Sequence, residues 1–228
     1  MNFLLLYSRK VVFLPCFLNE IEMTYLQFRE QWHEVGCFNV YQVRAAYPSF
    51  DRGNLARWVR KGYLVRLRQD WYAFADLLRV PEFSRYVAQK IYAPSYISLH
   101  SALAYYGIIP ETVTQITCIT SNRTARYANA FGEFSYQTVK PQLFFGYEPI
   151  VLAQGYSYQL AMPEKALLDL LYLYPQYNTT EALINLRLDD WWMQEELNVN
   201  RLREFAEKVG SAALQTRIEL MLNTYRHD

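Results

Sequence analysis

The sequence predicts an α+β protein whose two halves differ in character. Three observations carry this. Capped helical stretches alternate with short β-branched or alternating runs along most of the chain. Hydrophobic residues make up 52% and charged residues 20%, the composition of a chain that buries a core rather than one that stays disordered. Charge is also divided unevenly. Residues 38–74 carry Arg44, Arg52, Arg57, Arg60, Lys61, Arg66 and Arg68 against Asp51 and Asp70, a net of +5 in a chain whose formal total is +1. The remainder therefore carries about −4, an asymmetry that points to a module facing a polyanion.

Taken in order, within residues 1–22 the stretches 3–7 and 11–18 are apolar, broken by Ser8, Arg9 and Lys10. No uninterrupted run approaches the ~20 residues that span a bilayer. A secretory leader is disfavoured, because Pro15 interrupts the apolar part and Asn19-Glu20 stands where small residues would mark cleavage. These residues read as an upstream extension, with translation beginning at Met23. Thr24 then caps a first helix whose apolar side is Tyr25, Phe28, Trp32 and Val35.

Within residues 38–74, Asn39 caps a short helix bearing Val40, Tyr41 and Val43, and Pro48 ends it. Asp51 caps a second helix, favourably placed at the positive end of its dipole. Gly62 supplies a left-handed stop. Residues 64–67 and 71–74 are two strands joined by Arg68-Gln69-Asp70. On the second helix, Leu55, Trp58 and Val59 share one side at about 100° per residue. Opposite lie Gly53, Ala56, Arg57 and Arg60, flanked by Arg52 and Lys61. Helix, turn, helix and two strands, with the charge on the second helix and the hairpin, is the order of a winged helix-turn-helix. Its small residues let the helix backbone approach a duplex, and its arginines reach phosphates or the acceptor edge of guanine. The plainer alternative is a solvated basic face. Arg57 and Arg60, with Gly53 and Ala56, are assigned to the major groove. Arg52, Lys61, Arg66 and Arg68 are assigned to phosphates, and Arg44 less directly. If about five phosphates are neutralised, log affinity falls against log salt with a slope of roughly −4 to −5.

Residues 75–81 read as a linker, dividing the chain into 23–78 and an α+β part at 79–228. There, residues 82–92 form a helix with Phe83, Tyr86, Val87 and Ile91 inward. Residues 96–107 read as a buried helix, 116–120 as a strand, and 121–129 as a polar loop with Arg123 and Arg126. Residues 131–139 read as a bent strand or strand pair around Gly132, with further strands at 149–152 and 156–161. Pro163 opens a central buried helix. A short helix follows at 180–186, then amphipathic helices at 199–209 and 212–225.

Here the sequence resembles a known family. YISLHSALAYYGIIPE, VTQITCIT, FGEFSYQTVKPQLFFGY and MPEKALLDLLYL, in that order, are together similar to the AbiEi-type antitoxins, the regulator halves of type IV toxin–antitoxin and abortive-infection systems. The resemblance covers residues 23–228. It implies an N-terminal winged helix-turn-helix on operator DNA, autorepression, and a C-terminal domain that supports neutralisation of a nucleotidyltransferase-like toxin, with or without a direct complex. It carries the DNA-binding role onto the basic positions named above. A monomer or a dimer assembled on DNA fits this picture. A stand-alone regulator without a toxin shares the same module.

No catalytic constellation is legible. His33, His100 and His227 lack metal-ligand spacing, so no cofactor or metal is expected. His100-Ser101 lies on an apolar helix, and a satisfied buried histidine is the simpler account. Glu164-Lys165 fits a solvated helix start, and Glu164 and Asp169 are poorly spaced to share a face. Asp189-Asp190 reads as a helix cap. The chain has only eight glycines and no glycine-rich phosphate loop. A nucleic-acid-processing enzyme thus lacks its chemistry, whereas a protein-interaction module would draw on the many tyrosines. Cys16, Cys37 and Cys118 are odd in number and far apart, which suits free thiols in a reducing, cytoplasmic setting. Arg123 and Arg126 suit DNA, a partner or plain solvent exposure equally.

Overall fold

Two sheets, one of three strands and one of six, organise the protein in a computed structural model that describes residues 23–225. The readings made for residues 1–22, for Cys16 and for His227 lie outside the described residues. The α+β class holds.

The first part comprises α1 (Tyr25–Trp32), β1 (Cys37–Asn39), α2 (Val40–Ala46), α3 (Gly53–Arg60), β2 (Leu64–Arg68) and β3 (Trp71–Phe74). Both predicted caps are made: Thr24 with Gln27, and Asn39 with Gln42, form reciprocal capping boxes. The sequence did not reveal β1. It pairs antiparallel with β3, giving the order β1-β3-β2. The core here is aromatic. The Phe28 ring lies 4.9 Å from that of Trp58 and 5.1 Å from that of Phe38, and Phe74 closes the group. Such edge and tilted contacts stabilise beyond simple burial. Val35 lies past α1 in a 3₁₀ turn and is exposed, so the apolar side of α1 ends at Trp32.

The second part comprises α4 (Phe83–Ile91), β4 (Ser95–Ile97), α5 (Leu99–Tyr105), β5 (Gln115–Thr120), β6 (Ala125–Asn129), β7 (Gly132–Thr138), β8 (Tyr147–Val151), β9 (Ser157–Ala161), α6 (Pro163–Leu173), α7 (Thr180–Ile184), α8 (Val199–Val209) and α9 (Ala212–Tyr225). The six strands run in the order β6-β7-β5-β4-β9-β8, with β5/β7 and β4/β9 parallel. Helix α6 opens on Pro163 and packs against α5, α8 and α9.

Three expectations fail here. Residues 96–107 are not one helix: Tyr96 and Ile97 belong to β4, buried between β5 and β9. A fully buried three-residue strand has no alternation to read. Residues 125–129 are a strand, not a loop, because Ala125, Tyr127 and Asn129 turn inward while Arg126 and Ala128 face out. Glu164 and Lys165 are buried rather than solvated. Lys165 Nζ pairs with Asp169 and donates to Tyr96 Oη at 2.9 Å, while Ser98 Oγ donates to Asp169 Oδ2 at 2.8 Å. Burial pulls the Lys165 ammonium below its usual range, and the facing carboxylate offsets part of that.

Residues 75–79 form a 3₁₀ turn rather than an open linker, and Leu77 is buried. Contacts cross this point. Tyr86 Oη donates to Val35 O at 2.8 Å, and Tyr156 Oη donates to His33 O at 3.0 Å. Among the described residues no helix is long and apolar enough to cross a membrane.

Candidate nucleic-acid interface

Helix α3 is held by its ends. The cap position of α3 is Arg52, not Asp51 as the sequence predicts; Asp51 supports the start from one residue upstream, its Oδ1 accepting from the Gly53 N–H at 2.8 Å and its carbonyl from the Asn54 N–H at 3.1 Å. At the far end Gly62 takes φ +72°, and Tyr63 N–H returns to Trp58 O at 2.9 Å. Between them Leu55 and Trp58 are buried, with Trp58 against Phe28 and Phe50. Val59 is half-buried. Gly53, Ala56, Arg57, Arg60 and Lys61 are all exposed on the other side. The helix therefore turns a small-and-cationic face to solvent because its opposite face is anchored by an indole.

The other basic positions differ from one another. Arg44 is exposed on α2, and among the described residues neither it, Arg60 nor Lys61 is engaged by a hydrogen bond or ion pair. Arg57 hydrogen-bonds Asn54, which is 1% exposed. Arg52 pairs with Asp70. Arg66 is exposed, its Nε donating to Arg68 O at 3.4 Å. Arg68 turns the other way: Nη1 donates to Ile91 O at 2.7 Å, and the guanidinium lies 4.9 Å from the centre of the Tyr127 ring.

Two residues matter more than the sequence suggested. Asp70 sits at φ +61° in the turn between β2 and β3, and its carbonyl accepts from Val40 N–H at 2.9 Å. With its carboxylate on Arg52, it joins the starts of α2 and α3 to the hairpin. An Asp before a strand, able to take a left-handed turn, was the available signal. Asn54 was missed although it stands four residues before Trp58, a spacing that places both on one helix face.

Arg123 and Arg126 separate. Tyr92 Oη donates to Arg123 O at 2.7 Å, close to the Arg68 guanidinium over Tyr92. Arg126 pairs across the sheet with Ser135, on the face opposite the one whose Tyr127 and Asn129 meet the hairpin. His100 is half-buried beside Tyr174, and burial lowers its pKa. Asp189 accepts from Trp192 N–H at 2.7 Å, as a cap would. Cys37 and Cys118 are buried free thiols. Among the described residues no cluster of three His, Cys, Asp or Glu side chains is placed to hold a metal ion.

No protein-family model matches the chain, and a comparison with curated proteins finds no match.

Proposed function

We propose that this protein is a DNA-binding autorepressor, with residues 23–78 acting as a winged helix-turn-helix and α3 lying in the major groove. The observation that carries this is the outward face of α3, where Arg57, Arg60 and Lys61 stand beside Gly53 and Ala56. Small residues permit close approach, and the guanidiniums match guanine O6 and N7 or phosphate oxygens. Arg44, Lys61 and Arg66 take phosphates, for a salt slope of about −3, while Arg52 is held by Asp70. The absence of a recognisable catalytic constellation in the sequence agrees with a binding role.

The antitoxin part of the proposal rests on the AbiEi resemblance. On it, the protein also neutralises a nucleotidyltransferase-like toxin encoded beside it. A stand-alone regulator would use the same DNA face without that toxin.

A mobility-shift titration on the promoter of the protein's own gene tests the DNA assignment. The double variant Arg57→Ala/Arg60→Ala weakens binding and flattens preference for the operator over random duplex. Equal binding by parent and variant removes α3 from the interface. Co-expression with the neighbouring nucleotidyltransferase-like reading frame tests the antitoxin assignment: rescue of growth supports it, and unrelieved toxicity removes it.

A further inference from the structure

We infer that Arg68 is a positioning residue that sets the hairpin through the second half of the chain, not a phosphate ligand; this rests on the DNA-binding proposal. In a regular strand Arg66 and Arg68 would share a face. They do not, because the pairing of β2 with β3 slips between them: Arg66 opposes Tyr72, and Arg68 opposes Trp71. The bulge takes up Leu67 and re-aims the next side chain, as bulges do. Arg66 is left outward while Arg68 turns back.

What Arg68 meets is a prepared acceptor. Helix α4 ends at Ile91, and its last carbonyls lack partners along the helix and carry the negative end of its dipole. Arg68 Nη1 donates to one of them, Ile91 O, at 2.7 Å, and lies 3.3 Å from Tyr127 Oη. The Arg68 Cζ is 4.9 Å from the centre of the Tyr127 ring and 5.9 Å from that of Tyr92, within cation–π range. The adjacent residue reinforces the joint, since Asn129 Nδ2 donates to Leu67 O at 3.2 Å. Two consecutive residues of β2 are thus bound to α4 and β6. The hairpin bearing Arg66 is held at an orientation that α3 and its own turn do not set alone.

The test is a salt-dependent mobility-shift series on the operator, with thermal unfolding of each variant alongside. Arg66→Ala removes a phosphate contact and reduces the salt slope by about 0.9. Arg68→Ala lowers affinity by between about 2- and 30-fold, the range of coupling carried through packing, at an unchanged slope. Arg68→Lys, which keeps a cation over Tyr127 and one donor for Ile91 O, restores most of the loss. Tyr127→Leu and Asn129→Ala, whose side chains reach the hairpin from the second half, reproduce the loss at an unchanged slope and serve if Arg68→Ala fails to fold. A slope change for Arg68→Ala equal to that of Arg66→Ala, or full affinity in Tyr127→Leu, overturns the inference while leaving DNA binding in place. A parent protein with no operator binding overturns both.

Discussion

Arg52, at the head of α3, forms an ion pair with Asp70, eighteen residues further along in the turn of the hairpin. The arginine side chain keeps 59% exposure and the aspartate only 12%. The carboxylate is thus fixed, and the guanidinium is shared between it and solvent. On the proposed DNA-binding role, a duplex would offer a competing phosphate to that guanidinium.

Asp70→Asn separates these demands. Asparagine tolerates the left-handed turn that Asp70 occupies, so the backbone is kept while the charge is lost. Arg52 is released to phosphate, and the salt slope of operator binding steepens by about 0.9. A salt titration of the variant against the parent checks this. An unchanged slope shows that Arg52 does not reach the duplex.

Gly36 stands where the two parts meet. It takes φ +71°, and a Cβ there would lie 2.8 Å from Tyr156 Cε1 and 2.9 Å from Phe83 Cζ. Gly36→Ala therefore adds backbone strain of about 1–3 kcal/mol to the cost of moving two rings. Urea denaturation reports it as a lowered midpoint. A neutral result would show that the junction yields freely.

Lys165 is fully buried in a pair with Asp169, which also accepts from Tyr96 Oη at 3.0 Å and Ser98 Oγ at 2.8 Å. Removing one partner of such a pair leaves an uncompensated charge or forces its neutralisation. Lys165→Met lowers stability by about 3–5 kcal/mol. Lys208→Met is the control: this lysine is exposed, over Phe145, and its replacement stays within about 0.5 kcal/mol. Equal unfolding midpoints for the two variants would contradict the buried pair.

Asp76 links α1 to the turn after β3, accepting from Arg29 at 2.6 Å and His33 at 3.0 Å. Burial alone would raise its pKa, but the bonds from Arg29 and His33 outweigh it and hold the carboxyl below the ordinary range. The contribution is therefore present above the unfolded value of about 4 and is lost as pH falls through the lower folded value. Both side chains of the Arg29–Asp76 pair are nearly half exposed, so the contribution is under about 1 kcal/mol. Asp76→Asn melts below the parent at pH 7, and the two curves converge in acid. A constant offset at every pH would mean the charge is not involved.

Much of the fold was legible where the signals are local. Thr24, Asn39 and Asp51 each satisfy backbone amides two or three residues on. Pro163 opens α6. The outward face of α3 follows from helical spacing around Leu55 and Trp58. Strand β4 escaped because three buried residues carry no period, and β6 because its inward Ala125, Tyr127 and Asn129 are only half-buried and its outward positions include Ala128, so no apolar–polar alternation shows. The burial of Lys165 escaped because its partners Tyr96 and Asp169 lie 69 and 4 residues away, and only the near one falls within a helix pattern.

By itself the sequence determined where most helices start and stop, which face of α3 is anchored, and where positive charge collects, since each depends on neighbours within a turn or two. Only the tertiary structure decided which of those cations stay open. Arg52 and Arg68 meet Asp70 and Ile91, 18 and 23 residues distant, and a bulge between β2 and β3 parts Arg66 from Arg68. Pairing register and long-range acceptors exist only once the chain has folded, so no local pattern encodes them.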